Sequence, residues 1–335
     1  MINIAVAGVG AWGKNVVRNF YEIKEVNLTF CYDFNPASLK WVKENFPDVN
    51  TTDDFNQVLT NKKIDAVIIA TPAPTHFEFA KQALCAGKHV LVEKPLTLSS
   101  SDAARLVDLS KENNRKLMVG HLLKYHPAVL EMRRIVKAGE LGKIWYIHSQ
   151  RLGLGRVREV ENAMWCLATH DIYTAIYLMG KYPYKVSATG ESFLQKEKGI
   201  EDVVFLNLFF GEETFAHIHV SWIDPEKIRK TTVVGDNKMM VFDEIKPPPK
   251  LKIYDSGITV EQSGDKINFK IRKKNELALP IANKQPLKEE CLHFIKCIRE
   301  DKTPFTDGEE GLRIVKVLEA AQRSLKQNCS IEVRV

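Results

Sequence analysis

No hydrophobic run in this 335-residue chain approaches the ~20 residues needed to span a bilayer. Cysteine is sparse and scattered. The six (Cys31, Cys85, Cys166, Cys291, Cys297 and Cys329) form no C-x-x-C pair. That argues against zinc and against a disulfide framework, and fits a reducing cytoplasm. Internal repeats and low-complexity tracts are missing too, which excludes solenoids and tail-like segments. The opening Met1-Ile2-Asn3-Ile4 carries neither a basic n-region nor a small-residue cleavage site, so no signal peptide is expected. Strong charge of one sign is also lacking: the net +6 suits an anionic small molecule but is too diffuse to imply nucleic acid. What remains, 44% apolar and 27% charged, is ordinary for a globular protein with room for two cores.

The most informative feature present is Gly8-Val9-Gly10-Ala11-Trp12-Gly13, which follows the strand-like run Ile2 to Ala7. In a G-x-G-x-x-G fingerprint the first glycine permits a tight turn and the second lets backbone approach a pyrophosphate. The third lets helix pack on strand. The pyrophosphate then sits at the N-terminus of a helix starting near Gly13, where free N–H groups and the macrodipole favour anions. Asp33 ends the next strand-like run, 20 residues beyond Gly13, where a carboxylate can accept hydrogen bonds from a ribose diol. A 2′-phosphate would be repelled there, and no cation follows until Lys40, so the expected cofactor is NAD rather than NADP.

The first ~120 residues alternate short β-rich runs with helical periodicity, the mark of a parallel, doubly wound sheet. Beyond Gly120 the texture changes to long alternating runs: Ile144 to Arg151, Val203 to Phe210, Thr214 to Trp222, Thr231 to Val234 and Met239 to Phe242. Polar turns such as Gly211-Glu212-Glu213 join them, and two helices, about Leu287 to Arg299 and Glu309 to Lys326, close the chain. The expected fold is α/β. An N-terminal Rossmann domain over residues 1–121 precedes an α+β domain, residues 122–335, with a large, mainly antiparallel sheet. One face of that sheet needs cover, which predicts a homodimer or homotetramer formed through it.

In open α/β sheets ligands bind beyond the carboxyl ends of the strands. Thr71-Pro72-Ala73-Pro74-Thr75-His76 and Glu93-Lys94-Pro95 fall there, and Met164 to Asp171 opens a later helix. With Val119-Gly120-His121, Tyr125, Pro127, Gly139-Glu140-Leu141-Gly142 and His170, these segments resemble the Gfo/Idh/MocA family of sugar and cyclitol dehydrogenases over residues 1 to about 180. The resemblance implies a tightly held nicotinamide cofactor and a sugar hydroxyl oxidised to a ketone, or the reverse. Gly8, Gly10, Ala11, Trp12, Gly13, Asp33, Thr71, Pro72, His76, Glu93 and Lys94 would hold the cofactor.

Lys94 carries over as the lysine that holds the reacting oxygen and stabilises developing negative charge. His170 carries over as the general base, since an imidazole can take the hydroxyl proton near neutral pH. Many family members place an Asp four residues before that histidine. Here the position is Cys166, read as a packing residue because hydride transfer needs no thiol. Asp171 is no simple replacement, because adjacent helical residues do not share a face.

The stretch from Arg151 to Trp165 resembles the branch acting on nucleotide-linked amino sugars. Arg151, Arg156 and Arg158 suit a diphosphate or carboxylate, and Asn162 and Trp165 suit a sugar. His121 and Tyr125 are lesser pocket candidates. His217 and His219 face one side of a strand without an evident third ligand, so no metal is expected. The expected activity is NAD-dependent oxidation of a secondary hydroxyl, at C3 of a UDP-linked N-acetylhexosamine or its uronate. The alternatives are a free sugar or cyclitol, or a non-catalytic NAD-binding regulator. Neither a membrane nor nucleic acid is an expected partner.

Overall fold

The computed structural model describes all residues except 212, 264 and 265. Two compact units emerge: Met1–Tyr125 with Gln285–Lys316, and His126–Lys284 with Val317–Val335.

The first unit alternates strand and helix: β1 (Ile2–Ala7), α1 (Gly13–Tyr21), β2 (Val26–Tyr32), α2 (Pro36–Asn45), β3 (Asn50–Thr52) and α3 (Phe55–Thr60). After these come β4 (Ala66–Ile69), α4 (His76–Cys85), β5 (His89–Glu93), α5 (Ser100–Glu112) and β6 (Leu117–Gly120). All six strands are parallel, in the order β3-β2-β1-β4-β5-β6. This is the doubly wound arrangement, with its direction reversing between β1 and β4. A sheet covered on both faces requires continuous apolar strands, and β4 and β6 are buried at every residue. Side-chain caps start α2, α3 and α5: Asn35 accepts from the Ala37 N–H, Asp54 from Asn56 and Ser99 from Asp102.

On α1, Val16, Val17 and Phe20 recur at helical spacing and join a core that includes Cys291, Phe294 and Ile295 of the helix Pro286–Arg299. A single cut after residue 121 leaves that helix in the second domain. Its apolar face instead belongs to the first unit, which is therefore discontinuous in sequence.

The second unit opens with α6 (Pro127–Lys137), β7 (Ile144–Leu152) and α7 (Thr169–Met179). The strands β8 (Lys185–Glu191), β9 (Val203–Gly211), β10 (Thr214–Ser221), β11 (Ile228–Gly235) and β12 (Met239–Asp243) follow. The strands β13 (Leu251–Ser263), β14 (Lys266–Leu279) and β15 (Ile331–Glu332) also belong to it, whereas α8 (the helix Pro286–Arg299) is part of the first unit and α9 (Gly308–Gln327) is shared, passing from the first unit to the second after Lys316. The nine strands β7–β15 form one sheet, ordered β14-β13-β12-β11-β7-β10-β9-β8-β15. Only the β7–β10 pairing is parallel among the described residues.

Period-two burial is clean in the middle of this sheet. Val204, Leu206, Leu208, Ala216, Ile218 and Val220 turn inward, whereas Phe205, Phe215 and Tyr146 remain substantially exposed on the other face. The β13–β14 hairpin and β8 lie outside the runs read from alternation. At the start of β13 Leu251 and Ile253 are buried, but further along the hairpin Ile258, Val260, Phe269 and Ile271 are all exposed, so burial imposes no apolar face on its outer part. In the turn Gly211-Glu212-Glu213, Glu212 lies outside the described residues. No described helix is long and apolar enough to cross a membrane.

Candidate active site

At the carboxyl end of β1 the chain turns through Gly8, whose φ is +92°. A Cβ there would sit 2.7 Å from the backbone of Ala70 and Thr71, and one at Gly13 would sit 2.0 Å from the Gly8 carbonyl oxygen. Both positions are closed to a side chain. A Cβ at Gly10 would meet nothing within 4 Å, so the loop is open on the one side where a pyrophosphate must approach. Helix α1 begins at this loop without a side-chain cap, its Lys14 and Asn15 N–H groups donating to the Gly10 and Trp12 carbonyl oxygens, so the positive end of the helix dipole faces the loop an anion would approach. Asp33, buried at the end of β2, accepts from the Val9 N–H at 2.7 Å and the Asn35 N–H at 2.8 Å, one bond on each carboxylate oxygen. Each oxygen keeps accepting capacity for a ribose hydroxyl. These residues fit a dinucleotide.

Beyond β4 and β5, His76 bridges two turns. Its Nδ1 lies 2.8 Å from the Pro95 carbonyl oxygen and its Nε2 lies 2.9 Å from that of Thr71. The buried imidazole thus braces the Thr71-Pro72 loop against the cis Lys94–Pro95 turn. The Trp12 indole N–H donates to Glu93 Oε1 at 2.5 Å, while a Cβ on Gly120 would come within 3.0 Å of Glu93 Oε2. Burial raises the Glu93 carboxyl above its ordinary range, against the opposing pull of that hydrogen bond and of Lys94. Burial, and then the charge of Lys94, pushes His121 down to about 3, so it is neutral at physiological pH. Lys94, His121 and Glu93 therefore share one electrostatic environment.

Sequence reading missed Glu290 of α8. This carboxyl is 1% exposed and raised well above the usual carboxylate range, first by burial and then by Glu93. Tyr125 is buried, its hydroxyl pushed up chiefly by burial, with its ring against His293.

In the second unit a π-helical turn, Met164–Ala168, precedes α7. Such turns are rare and concentrate at functional sites. Cys166 lies within it, so the four-residue spacing to His170 is not a simple α-helical turn. His170, half-buried, occupies the first turn of α7, where its carbonyl oxygen accepts from Thr174 Oγ1.

Asp171 turns inward and accepts from Ser149 Oγ and from Arg151 Nε, each at 2.6 Å. Burial disfavours the charged Arg151, yet Asp171 outweighs it and leaves the guanidinium raised. Arg151 is thereby tied to the protein. Asn162 donates to Glu201 and Gln322, accepts from the Trp165 N–H, and shares Gln322 Oε1 with the Trp165 indole. Arg156 is exposed, and Arg158 lies 3.6 Å from Glu161. On the open sheet face the parallel register brings His148 beside His217, and His219 stacks on Phe205.

The glycine cradle, the helix starting from it and the acid at the end of β2 put the first unit among the Rossmann dinucleotide-binding proteins. Comparison with known families narrows this. Residues 2–121 match the oxidoreductase family's NAD-binding Rossmann fold, and residues 133–333 match its C-terminal alpha/beta domain. The chain belongs to the Gfo/Idh/MocA oxidoreductase family.

An uncharacterized oxidoreductase of Streptococcus pneumoniae is 27% identical over 228 residues, covering 64% of this chain and 61%, less than two thirds, of that protein. UDP-N-acetylglucosamine 3-dehydrogenase of Acidithiobacillus ferrooxidans is 27% identical over 254 residues, 76% of each chain. A solved structure of that dehydrogenase aligns at TM-score 0.81 over 97% of this chain and 98% of its own, at 24% identity. Scyllo-inositol dehydrogenase from Lactobacillus casei, solved with NAD(H) and scyllo-inositol, aligns at TM-score 0.81 over 99% of both chains at 20% identity. At these identities the structural likenesses are likenesses of fold.

Proposed function

We propose that this oxidoreductase is an NAD-dependent dehydrogenase of a secondary sugar hydroxyl, at C3 of a UDP-linked N-acetylhexosamine or its uronate. The observation that carries the dehydrogenase reading is the charge pattern around Lys94. His121 is held neutral and Glu93 lies close by, so the ammonium is the group fitted to grip a hydroxyl oxygen at the strand ends. NAD, when bound, accepts the hydride released from the carbinol carbon. The chain's own part is to hold the oxygen through Lys94 and to take the hydroxyl proton at the His170 imidazole as the C=O bond forms. A non-catalytic regulator would need neither residue.

The nucleotide-sugar reading rests on Arg156 and Arg158, with Arg151 committed to Asp171. The relative whose name specifies UDP-N-acetylglucosamine supports it. A second reading, a free sugar or cyclitol, is favoured by the internal hydrogen bonding of Asn162 and Trp165, which leaves fewer groups for a large substrate. Hydride transfer measured on UDP-N-acetylglucosamine, its uronate, inositol and glucose separates the two. Turnover of neutral sugars alone would establish the second.

The open sheet face, with Tyr146, Phe205 and Phe215 exposed, suits pairing with a second copy. The oligomer is expected to dissociate when Phe215 is replaced by Glu, as read by light scattering.

A further inference from the structure

The sheet order fixes a path along its carboxyl edge. Asp33 follows β2, Gly10 follows β1, Thr71 follows β4 and Lys94 follows β5, and these four strands are consecutive neighbours. A dinucleotide with its ribose at Asp33 and its pyrophosphate at Gly10 must carry its nicotinamide half past the end of β4 to reach Lys94. Trp12 and Glu93 span that same interval. Trp12 belongs to the loop after β1, Glu93 is the last residue of β5, and two inter-strand steps, roughly 10 Å, separate those strands. The indole covers the distance and closes it with the 2.5 Å hydrogen bond, although 40% of the Trp12 surface faces solvent. An exposed tryptophan held by its polar end has little packing to gain there.

We propose that Trp12 is a strap across the nicotinamide half of the cofactor, fastened to Glu93, and that opening this bond sets the rate at which the nicotinamide nucleotide leaves. Trp12 is a positioning residue in this role. The inference concerns the cofactor and is independent of which sugar is oxidised. Glu93 is well placed as the fastening point. Gly120 admits its carboxylate closely, and the His76 brace fixes the turn that follows it.

The test is release of preloaded NADH into excess NAD, followed by the loss of NADH fluorescence. Trp12→Phe keeps a ring and removes the N–H. Loss of a hydrogen bond to a carboxylate predicts release about tenfold faster. Glu93→Ala should accelerate release to a similar degree, and Glu93→Gln, whose amide oxygen still accepts from the indole, should restore it to within about twofold. The Trp12→Phe, Glu93→Ala double variant should be no faster than either single one, because all three lack the same bond. ADP, which lacks the nicotinamide half, should leave wild type and Trp12→Phe at equal rates.

Release from Trp12→Phe within about twofold of wild type overturns the proposal. So does tighter NADH binding with faster association, which would make the indole an obstruction rather than a strap. A wild-type protein that retains no NADH overturns the strap together with the cofactor assignment.

Discussion

Arg151 and Asp171 form a buried ion pair that joins β7 to α7, with Nε and Oδ2 2.6 Å apart and both side chains shielded from solvent. Removing one partner strands the other charge in a low-dielectric site. Asp171→Ala is expected to cost about 3–5 kcal/mol in urea unfolding. The double variant Arg151→Met, Asp171→Leu should recover most of that loss, since the only charge it deprives of Arg151 is the partly exposed Glu244, 3.9 Å away. Equal destabilisation in the single and double variants would contradict this account.

Asp33 is expected to govern cofactor choice. Asp33→Ser should weaken NAD binding by roughly 1.5–3 kcal/mol in calorimetry, the scale of a charge-assisted hydrogen bond. It should also narrow the gap to NADP by removing the charge that opposes a 2′-phosphate. Wild type binding NADP as tightly as NAD would refute this assignment.

Lys94→Ala and His170→Ala should each lower turnover about a hundredfold or more while NADH binding persists. A turnover in His170→Ala within a few-fold of wild type would remove that residue from the base role. Cys166→Ala should be mild.

Replacing Arg156 or Arg158 by Ala should raise KM for a nucleotide sugar more than it lowers kcat. A contact remote from the reacting carbon acts alike in ground and transition states. The effect should shrink as salt rises, and an unchanged KM in both variants would return these arginines to the solvated surface.

His121 supplies a pH signature. Its folded-state pKa, about 3, lies below the ~6.5 of an unfolded histidine, so the unfolded chain binds the proton more readily. The stability this group contributes is complete above pH ~6.5 and is lost as pH falls through that value toward 3. At pH 5 the loss is about 2 kcal/mol. His121→Gln should reduce the fall in urea-unfolding free energy between pH 7 and 5 by about that amount, leaving the part due to His89, which burial pushes down to about 4. A wild-type profile already flat there would show that His121 titrates as it does in the unfolded chain.

Much of this was legible in the sequence because local chemistry and tertiary demand agreed. The run ending at Ile69 is apolar and buried throughout, and that ending at Ala7 is apolar but for Asn3, because helices cover both sheet faces. The β13–β14 hairpin escaped because beyond Leu251 and Ile253 its register comes from backbone pairing, with the apolar residues of its outer part left exposed. Arg151, Asn162 and Trp165 looked like ligand groups, since residue type says what a side chain can bond but not that Asp171 and Gln322 reach it first. Glu290 did leave a trace. Leu287, Cys291, Phe294, Ile295 and Ile298 mark one face of α8, and an acid three residues after Leu287 and one before Cys291 stands on that apolar stripe.

The discontinuity of the first unit has a consequence during synthesis. When Tyr125 leaves the ribosome all six parallel strands exist, yet Phe20, Val16 and Val17 still await Cys291, Phe294 and Ile295, encoded roughly 160 residues later. At typical elongation rates of about 5–20 residues per second, that apolar surface of α1 stays uncovered for roughly 10–30 seconds. A fragment ending at residue 125 would keep it uncovered permanently. The nascent N-terminal half is thus the stage at which this chain is most exposed to chaperones and to aggregation, and its cofactor cradle gains its final support only when α8 arrives.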